Sequence, residues 1–347
     1  MTRIKQLLTK GQASWNLILI GLLVLEFVVF GAANPKFLRP ALLFTSINDN
    51  LPVFMIALFV TLVMVTGGID IQVASLVGLT SITIGVAWQD FGFSIWAAVA
   101  LAVLICIACG AFSGFLIAYC GVQAMVVTLG GSFLYSGIAL LISTLSSTES
   151  YQGIGGFPEE FKFIASYQVF GAIPFQLLIY VAMFAIAFIL LHKTKYGRKV
   201  ILTGVNAQAA EFSGINSRLV IMSTYVLSAV AAAIAGIVLT AYLGTAKSDL
   251  GGSLTMDIIT AVVLGGTLST GGKGSIIGTA LASFAIAFLK FGLPLCFKVG
   301  TQYLNIPVGI LLVAVIVGRS AASSTGYLSM LRTLVSSKVG NGPKVKA

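Results

Sequence analysis

The sequence predicts an all-α integral membrane protein, a bundle of about ten transmembrane helices. Three observations predict it. Of 347 residues, 58% are hydrophobic and only 9% charged, with a mean hydropathy of +1.05. Soluble domains carry about 25% charged residues, so this chain lacks the charge to coat a soluble globule. Apolar runs suited to spanning recur at 15–33, 50–66, 73–88, 94–118, 122–143, 172–191, 219–240, 257–267, 274–292 and 303–318. Most of the charge falls in the gaps between them. Only helices and closed barrels satisfy their backbone groups in lipid. The runs are too long and too uniformly apolar for barrel strands, whose side chains alternate.

Residues 1–14 form a basic segment ahead of the first run. Trp15–Ala33 is 19 residues, about 28 Å of helix, and spans without cleavage, although Gly31-Ala32-Ala33 is a weak cleavage-like site. Asn48 and Asp49 precede the second run and fit an N-cap. Two glycine clusters, Thr66–Asp70 and Gly265–Gly274, fall at the ends of runs on one side, and VMVTGGID weakly echoes AVVLGGTL. Small residues of this kind permit close helix approach and broken helices. The segment 144–171 holds Glu149, Glu159 and Glu160 against Lys162 and reads as a structured loop or short helix capping the bundle. With the N-terminus in the cytosol and ten spans, fourteen Lys/Arg lie inside and five outside, and Lys290 sits within a span. That bias fits the positive-inside rule. It gives one transmembrane domain, 15–320, and a cytoplasmic tail, 321–347.

The longest basic interruption is 192–218, HKTKYGRKVILTGVNAQAAEFSGINSR, with Lys193, Lys195, Arg198 and Lys199 within seven residues. Asn206–Ile215 inside it reads as a short helix with Gly214 as its C-terminal stop, offered to something in the cytosol. Other functions find little support. The net charge of +10 comes from residues at run ends and forms no nucleic-acid patch. Gly271–Ser275 resembles a phosphate-loop fragment but lacks GxxxxGK[ST]. Cys106 and Cys109 read as small packing residues, and the single histidine, His192, reads as a helix-terminal cation. Asp70 borders an apolar helix, where it either caps that helix or serves substrate passage. Glu26 lies inside the first span with no assigned role, and no nucleophile–base pair or metal cluster emerges.

TGGID at 66–70, GVNAQAAEFSGINSR at 204–218 and TAVVLGGTLSTGGKGSIIGT at 260–279 together resemble the permease subunits of ribose-type ABC importers. The resemblance covers about residues 15–320. It implies a type II-like importer bundle in a bacterial inner membrane, with both termini cytoplasmic. It makes 204–218 the coupling segment for a separate ATPase subunit, through Asn206, Ala210, Glu211, Phe212 and Gly214, with Phe212 as anchor and Glu211 as a polar contact. It implies a second homologous permease, a periplasmic substrate-binding protein and membrane lipids as partners. This chain then binds no cofactor, and ATP is used by the partner. SYQGIGGFP at 150–158 and GTAKSDLGGS at 244–253 are similar to the autoinducer-2 branch of that family. A ribose-like monosaccharide importer and an ATP-independent secondary transporter are the alternatives. Ile71-Gln72-Val73-Ala74-Ser75 departs from the family's Leu-Ser-Val-Gly-Ser, which weakens transfer of pentose specificity. The expected substrate path is Asp70, Gln72, Thr128, Ser132 and Tyr135; the last three share one helix face, a stripe that helix packing also explains.

Overall fold

The computed structural model describes residues 2–149, 152–169, 171, 173–315 and 317. The tail 321–347 expected from sequence, and the side chains of 2–13, lie outside what is described. Every one of the ten apolar runs carries a helix. The long ones are α1 (Thr2–Ala33), α2 (Pro40–Val65), α4 (Ile95–Ala118), α5 (Ala124–Ser143), α7 (Phe175–Phe188, continued as a π-turn to Lys193), α10 (Ser217–Leu243) and α12 (Ile276–Phe297). Among the described residues these seven are long and apolar enough to cross a membrane, α1 from Ser14 onward. The other three runs give shorter helices: α3 (Val73–Gln89), α11 (Leu254–Leu264) and α13 (Thr301–Val315). The ten runs therefore all form helices, but among the described residues only seven of them are long and apolar enough to cross by themselves, so ten spans is a loose count. Between runs lie α6 (Glu159–Ser166), α8 (Lys195–Val205) and α9 (Ala207–Phe212). The chain divides into two compact units, Met1–Val299 and Gly300–Ala347, and the first holds α1 to α12.

One sequence expectation fails locally. Asn48 and Asp49 cap nothing, because α2 begins at Pro40, whose fixed φ suits a first helical position. They lie inside that helix, and Asp49 accepts a hydrogen bond from the Tyr242 hydroxyl at 2.7 Å. In the 144–171 loop, α6 is flanked by two-residue strands: β1 (Ile154–Gly155) pairs antiparallel with β4 (Thr245–Ala246), and β2 (Gln168–Val169) with β3 (Ile173–Pro174).

Residues 51–65 of α2 are buried on every side, and α3 is buried along nearly its whole length. Apolar residues all round a helix mark a bundle interior. α10 packs against α2, α3 and α4, and α3 against α4 and α5. α1 runs parallel to α12, with Asn16 at Gly278 and Phe30 at Gly292. There Phe30, Phe37 and Phe288 form a cluster joined by Phe27 and Phe291.

The weak echo of the two glycine clusters is one structure made twice. After α2, Gly67 takes φ +85°, its N–H donates to Met64 O at 3.0 Å, and the Gly68 N–H donates to Val63 O at 3.1 Å. After α11, Gly266 takes φ +94°, its N–H donates to Val263 O at 3.0 Å, and the Thr267 N–H donates to Val262 O at 3.3 Å. Both ends are Schellman caps, whose αL residue favours glycine. The chain leaves each cap in irregular form, so α3 and α11 are broken spans. A second irregular stretch, 244–253, lies along α3: Ala246 meets Gly85, the Ser248 carbonyl meets Gly78, and Gly251 meets Val77 and the Ala74 carbonyl. A Cβ on Gly78 would strike the Ser248 carbonyl, whereas one on Gly130 would meet open space. Gly78→Ala should therefore lose about 1–3 kcal/mol by overpacking. Thermal unfolding in detergent should show a fall of several degrees for Gly78→Ala and none for Gly130→Ala; equal melting temperatures would reject this close contact.

Candidate functional site

One end of the bundle carries a cluster of five exposed basic side chains. α8 exposes Lys195, Arg198 and Lys199 and buries Gly197, Val200 and Thr203. Lys193 and Arg218 are exposed on either side of it. Thr194 caps α8, its hydroxyl accepting from the Gly197 N–H at 3.2 Å. The chain then turns at Asn206, whose Oδ1 accepts from the Ala209 N–H at 2.9 Å and so starts α9. Gly214, at φ +78°, ends it, and the Ile215 N–H donates back to Ala210 O at 3.0 Å. The short helix is thus held at both ends. Ala210 is its buried face, and the Ser217 hydroxyl donates to Ala207 O at 3.0 Å. Glu211 is exposed, and Phe212 is 94% exposed.

This end connects directly to the bundle interior through backbone. Gly204, at the end of α8, packs on the Val65 carbonyl. That carbonyl accepts from the Gly272 N–H at 2.8 Å. A Cβ on Gly271 would lie 2.8 Å from both Gly204 O and Gly67 N. Three chain segments, from α2, α8 and the turn after α11, therefore touch main chain to main chain, and only glycine permits that approach.

Above this junction lie the five residues expected from sequence as a path. Asp70, Gln72, Thr128 and Tyr135 are buried, and Ser132 is half-buried. All cluster where the start of α3 meets α4 and α5. The Thr128 hydroxyl donates to Ile69 O at 3.1 Å. The Ser75 hydroxyl lies 3.0 Å from that of Ser132 and accepts from Ser136 at 3.0 Å. Ser113 stands 2.7 Å from the Gln72 amide and 2.9 Å from the Tyr135 hydroxyl, which donates to Cys109 O at 3.1 Å. In the first of these contacts the Ser113 hydroxyl donates to Gln72 Oε1.

Asp70 does not cap α3. The N-cap position is Gln72, without a side-chain cap bond. The Asp70 carboxyl oxygens make no hydrogen bond of ordinary geometry; the Ser228 hydroxyl and the Gln72 N–H are the donors that face it. Sequence reading missed Ser113, Tyr225 and Ser228, which complete this layer. Ser113 and Ser228 are lone hydroxyls in apolar helices and give little signal. Tyr225, fully buried, closes over Gly68 and lies 3.5 Å from Ile69 O. Its burial depends on a glycine 157 positions earlier. A half-buried pair, Asp257 Oδ2 to Lys290 Nζ at 2.6 Å, joins α11 to α12. Among the described residues no group of three or more His, Cys, Asp or Glu is placed to hold a metal ion.

Residues 42–316 match the family model described as branched-chain amino acid transport system / permease component. The chain is 39% identical over 311 residues to the autoinducer 2 import system permease protein LsrD of Klebsiella pneumoniae, covering 90% of this chain and 93% of that one. It is 40% identical to the LsrD proteins of Enterobacter sp. strain 638 and Photorhabdus laumondii, covering 88% of this chain in each case and 93% and 91% of theirs. No solved structure matches it.

The network makes its own prediction. Ser113→Ala leaves buried Gln72 and Tyr135 groups without their shared partner, which should cost about 1–3 kcal/mol. The exposed Thr45→Ala should cost nothing measurable. Matching detergent melting curves for the two variants would mean that Ser113 is not the link between α3 and α5.

Proposed function

We propose, from the premise that this chain belongs to the branched-chain amino acid transport permease family, that it is the membrane-spanning permease of an ATP-driven importer of autoinducer-2. It is a multi-pass transport subunit, not an enzyme. The basic end faces the cytosol, as exposed Lys193, Lys195, Arg198, Lys199 and Arg218 demand under the positive-inside rule. The membrane is then the bacterial inner membrane, with both termini cytoplasmic. The N-terminal segment 1–14 and the tail 321–347 both lie on that side.

The observation that carries the coupling role is Phe212. A large apolar side chain stands almost fully exposed on a six-residue helix that is capped at both ends. Burying such a ring in a partner's groove is worth about 1.5–3 kcal/mol, and nothing among the described residues covers it. An ATPase subunit is the partner that can. Asn206 and Gly214 fix the ends of α9, Ala210 seats it, and Glu211 and Phe212 meet the ATPase. The glycine junction of Gly204, Gly271 and Gly67 passes displacement of α9 to α2 and to the broken helices, since packed backbone cannot compress. Closure of the ATPase pair then rocks the bundle between outward- and inward-open forms. ATP must bind the two forms unequally for this to work.

A second, homologous permease completes the cavity, and a periplasmic binding protein delivers substrate at the 144–171 loop. Asp70, Gln72, Thr128, Ser132 and Tyr135 form the layer between the junction and that cavity. Closed off within one chain, they reach substrate only when the α3–α5 contact opens. Autoinducer-2 as substrate rests on the names of the relatives. Competition between autoinducer-2 and ribose in reconstituted vesicles separates it from a monosaccharide importer, and uptake without ATP would indicate a secondary transporter.

Phe212→Ala and Glu211→Ala should leave the chain folded, with unchanged melting in detergent. Phe212→Ala should lower recovery of the ATPase subunit on purification by about tenfold or more, with import lost in parallel. Full ATPase recovery and full import in both variants would discard α9 as the coupling element.

A further inference from the structure

The proposed function requires a passage lined by polar groups at membrane depth, and the residues expected from sequence are shut inside one chain. A different segment is open. The stretch 244–253 descends along α3 from the end of the bundle that carries the 144–171 loop. Trp88, packed on Phe157 with ring centroids 5.1 Å apart, marks that end. Ala246 lies at Gly85, Ser248 at Gly78 and Gly251 at Ala74, and the Thr255 hydroxyl donates to Ile71 O at 3.4 Å. From residue 85 to residue 74, α3 falls about 16 Å along its axis. Only then does α11 begin. Its far end sits at the start of the first span, where the Trp15 indole N–H donates to Leu264 O at 2.9 Å. Residues 247–253 therefore run irregularly through one half of the bundle, and α11 supplies the other half.

One edge of this segment is buried, through Ala246 and Leu250. The other edge is bare: Asp249, Gly252 and Ser253 are exposed, and Met256 is 70% exposed. Backbone bonds here are two turn contacts, Gly252 N–H to Asp249 O at 3.1 Å and Leu254 N–H to Gly251 O at 2.9 Å, and the Lys247 N–H donating to the Ser81 hydroxyl at 3.2 Å. The Ser253 side chain makes no cap bond at the start of α11. Neither ion pair found among the described residues includes Asp249. Irregular backbone at this depth is tolerated only inside protein or beside water, and a carboxylate facing lipid is costlier still.

We propose that residues 247–256 form the water-lined wall of the substrate passage, and that Asp249 and Ser253 bind the hydroxyls of a small, uncharged, polyhydroxylated substrate. This rests on the importer reading above and adds to it the location and chemistry of the passage. A carboxylate accepts from two neighbouring hydroxyls at once, and a serine hydroxyl both donates and accepts. That combination suits a furanosyl polyol and does not suit an anion. The Asp257–Lys290 pair sits at the base of the segment, its charges already matched.

The test uses the assembled importer in right-side-out vesicles and a membrane-impermeant trimethylammonium methanethiosulfonate, with labelling read residue by residue by mass spectrometry so that the four native cysteines remain. Ser253→Cys should be labelled and its import blocked by the label. Saturating autoinducer-2 should slow that labelling several-fold. Val28→Cys, on the apolar outer face of α1, should stay unlabelled. Asp249→Asn should raise the half-saturating autoinducer-2 concentration by about tenfold with ATPase recovery unchanged, and Asp249→Glu should restore part of the loss. Ser253→Cys unlabelled both with and without ATP would place this edge against protein and overturn the proposal. So would wild-type half-saturation in Asp249→Asn. Wild-type vesicles that fail to import with ATP would instead sink the importer reading, while labelling of Ser253→Cys would still uphold the water-lined wall.

Discussion

Backbone amides cannot be left bare in hydrocarbon, and this chain breaks its helices twice where that rule applies. The break after α2 and the break before α11 survive because other main chain lies against them. The Val65 carbonyl at the end of α2 takes the Gly272 N–H, and the Ser248 carbonyl is pressed onto α3 at Gly78. Glycine is the residue that lets backbone reach backbone. Its abundance, 38 of 347 residues, is used at such meetings: Gly67 with Gly271, Gly204 with Val65, Gly78 with Ser248. The architecture of the first unit follows from these contacts more than from any large apolar side chain.

That construction also reaches a six-residue helix at the surface. α9 joins α8 through a single turn at Asn206, and α8 ends in Gly204, which touches α2 and the turn after α11. No flexible linker intervenes. Gly204 thereby ties the surface helix to the end of α2 and to the turn after α11 through packed main chain. The hydroxyl network around Gln72, Ser113 and Tyr135 sits just above and fastens α3 to its neighbours.

Legibility in the sequence varied with the range of the interaction. Apolar runs gave the helices of α4, α5 and α10 almost to their ends and α1 at its C-terminal end, since hydropathy is a property of neighbours in sequence. The α9 helix was visible in the same way, within Asn206–Ile215 and with Gly214 as a stop. The start of α2 was misplaced, because Pro40 permits a helix start well before the apolar run begins and Asn48 and Asp49 looked like a cap. The stripe of Thr128, Ser132 and Tyr135 was seen, but its partners Ser75 and Ser113 sit on other helices. The depth of 247–253 was not legible, since polar composition says nothing about depth.

Reading residues in order was enough to establish a membrane bundle of helices, its basic end, the short helix that stands out from that end and, by resemblance, the family. Each of these is carried by local composition, spacing or motif. Packing settled which glycines meet, which hydroxyls share protons, and that 244–253 is drawn down along α3 rather than left outside. Those outcomes depend on a missing Cβ at one position and a carbonyl about 170 residues away, as at Gly78 and Ser248. No local pattern records such a pairing, because its energy exists only once both segments are packed.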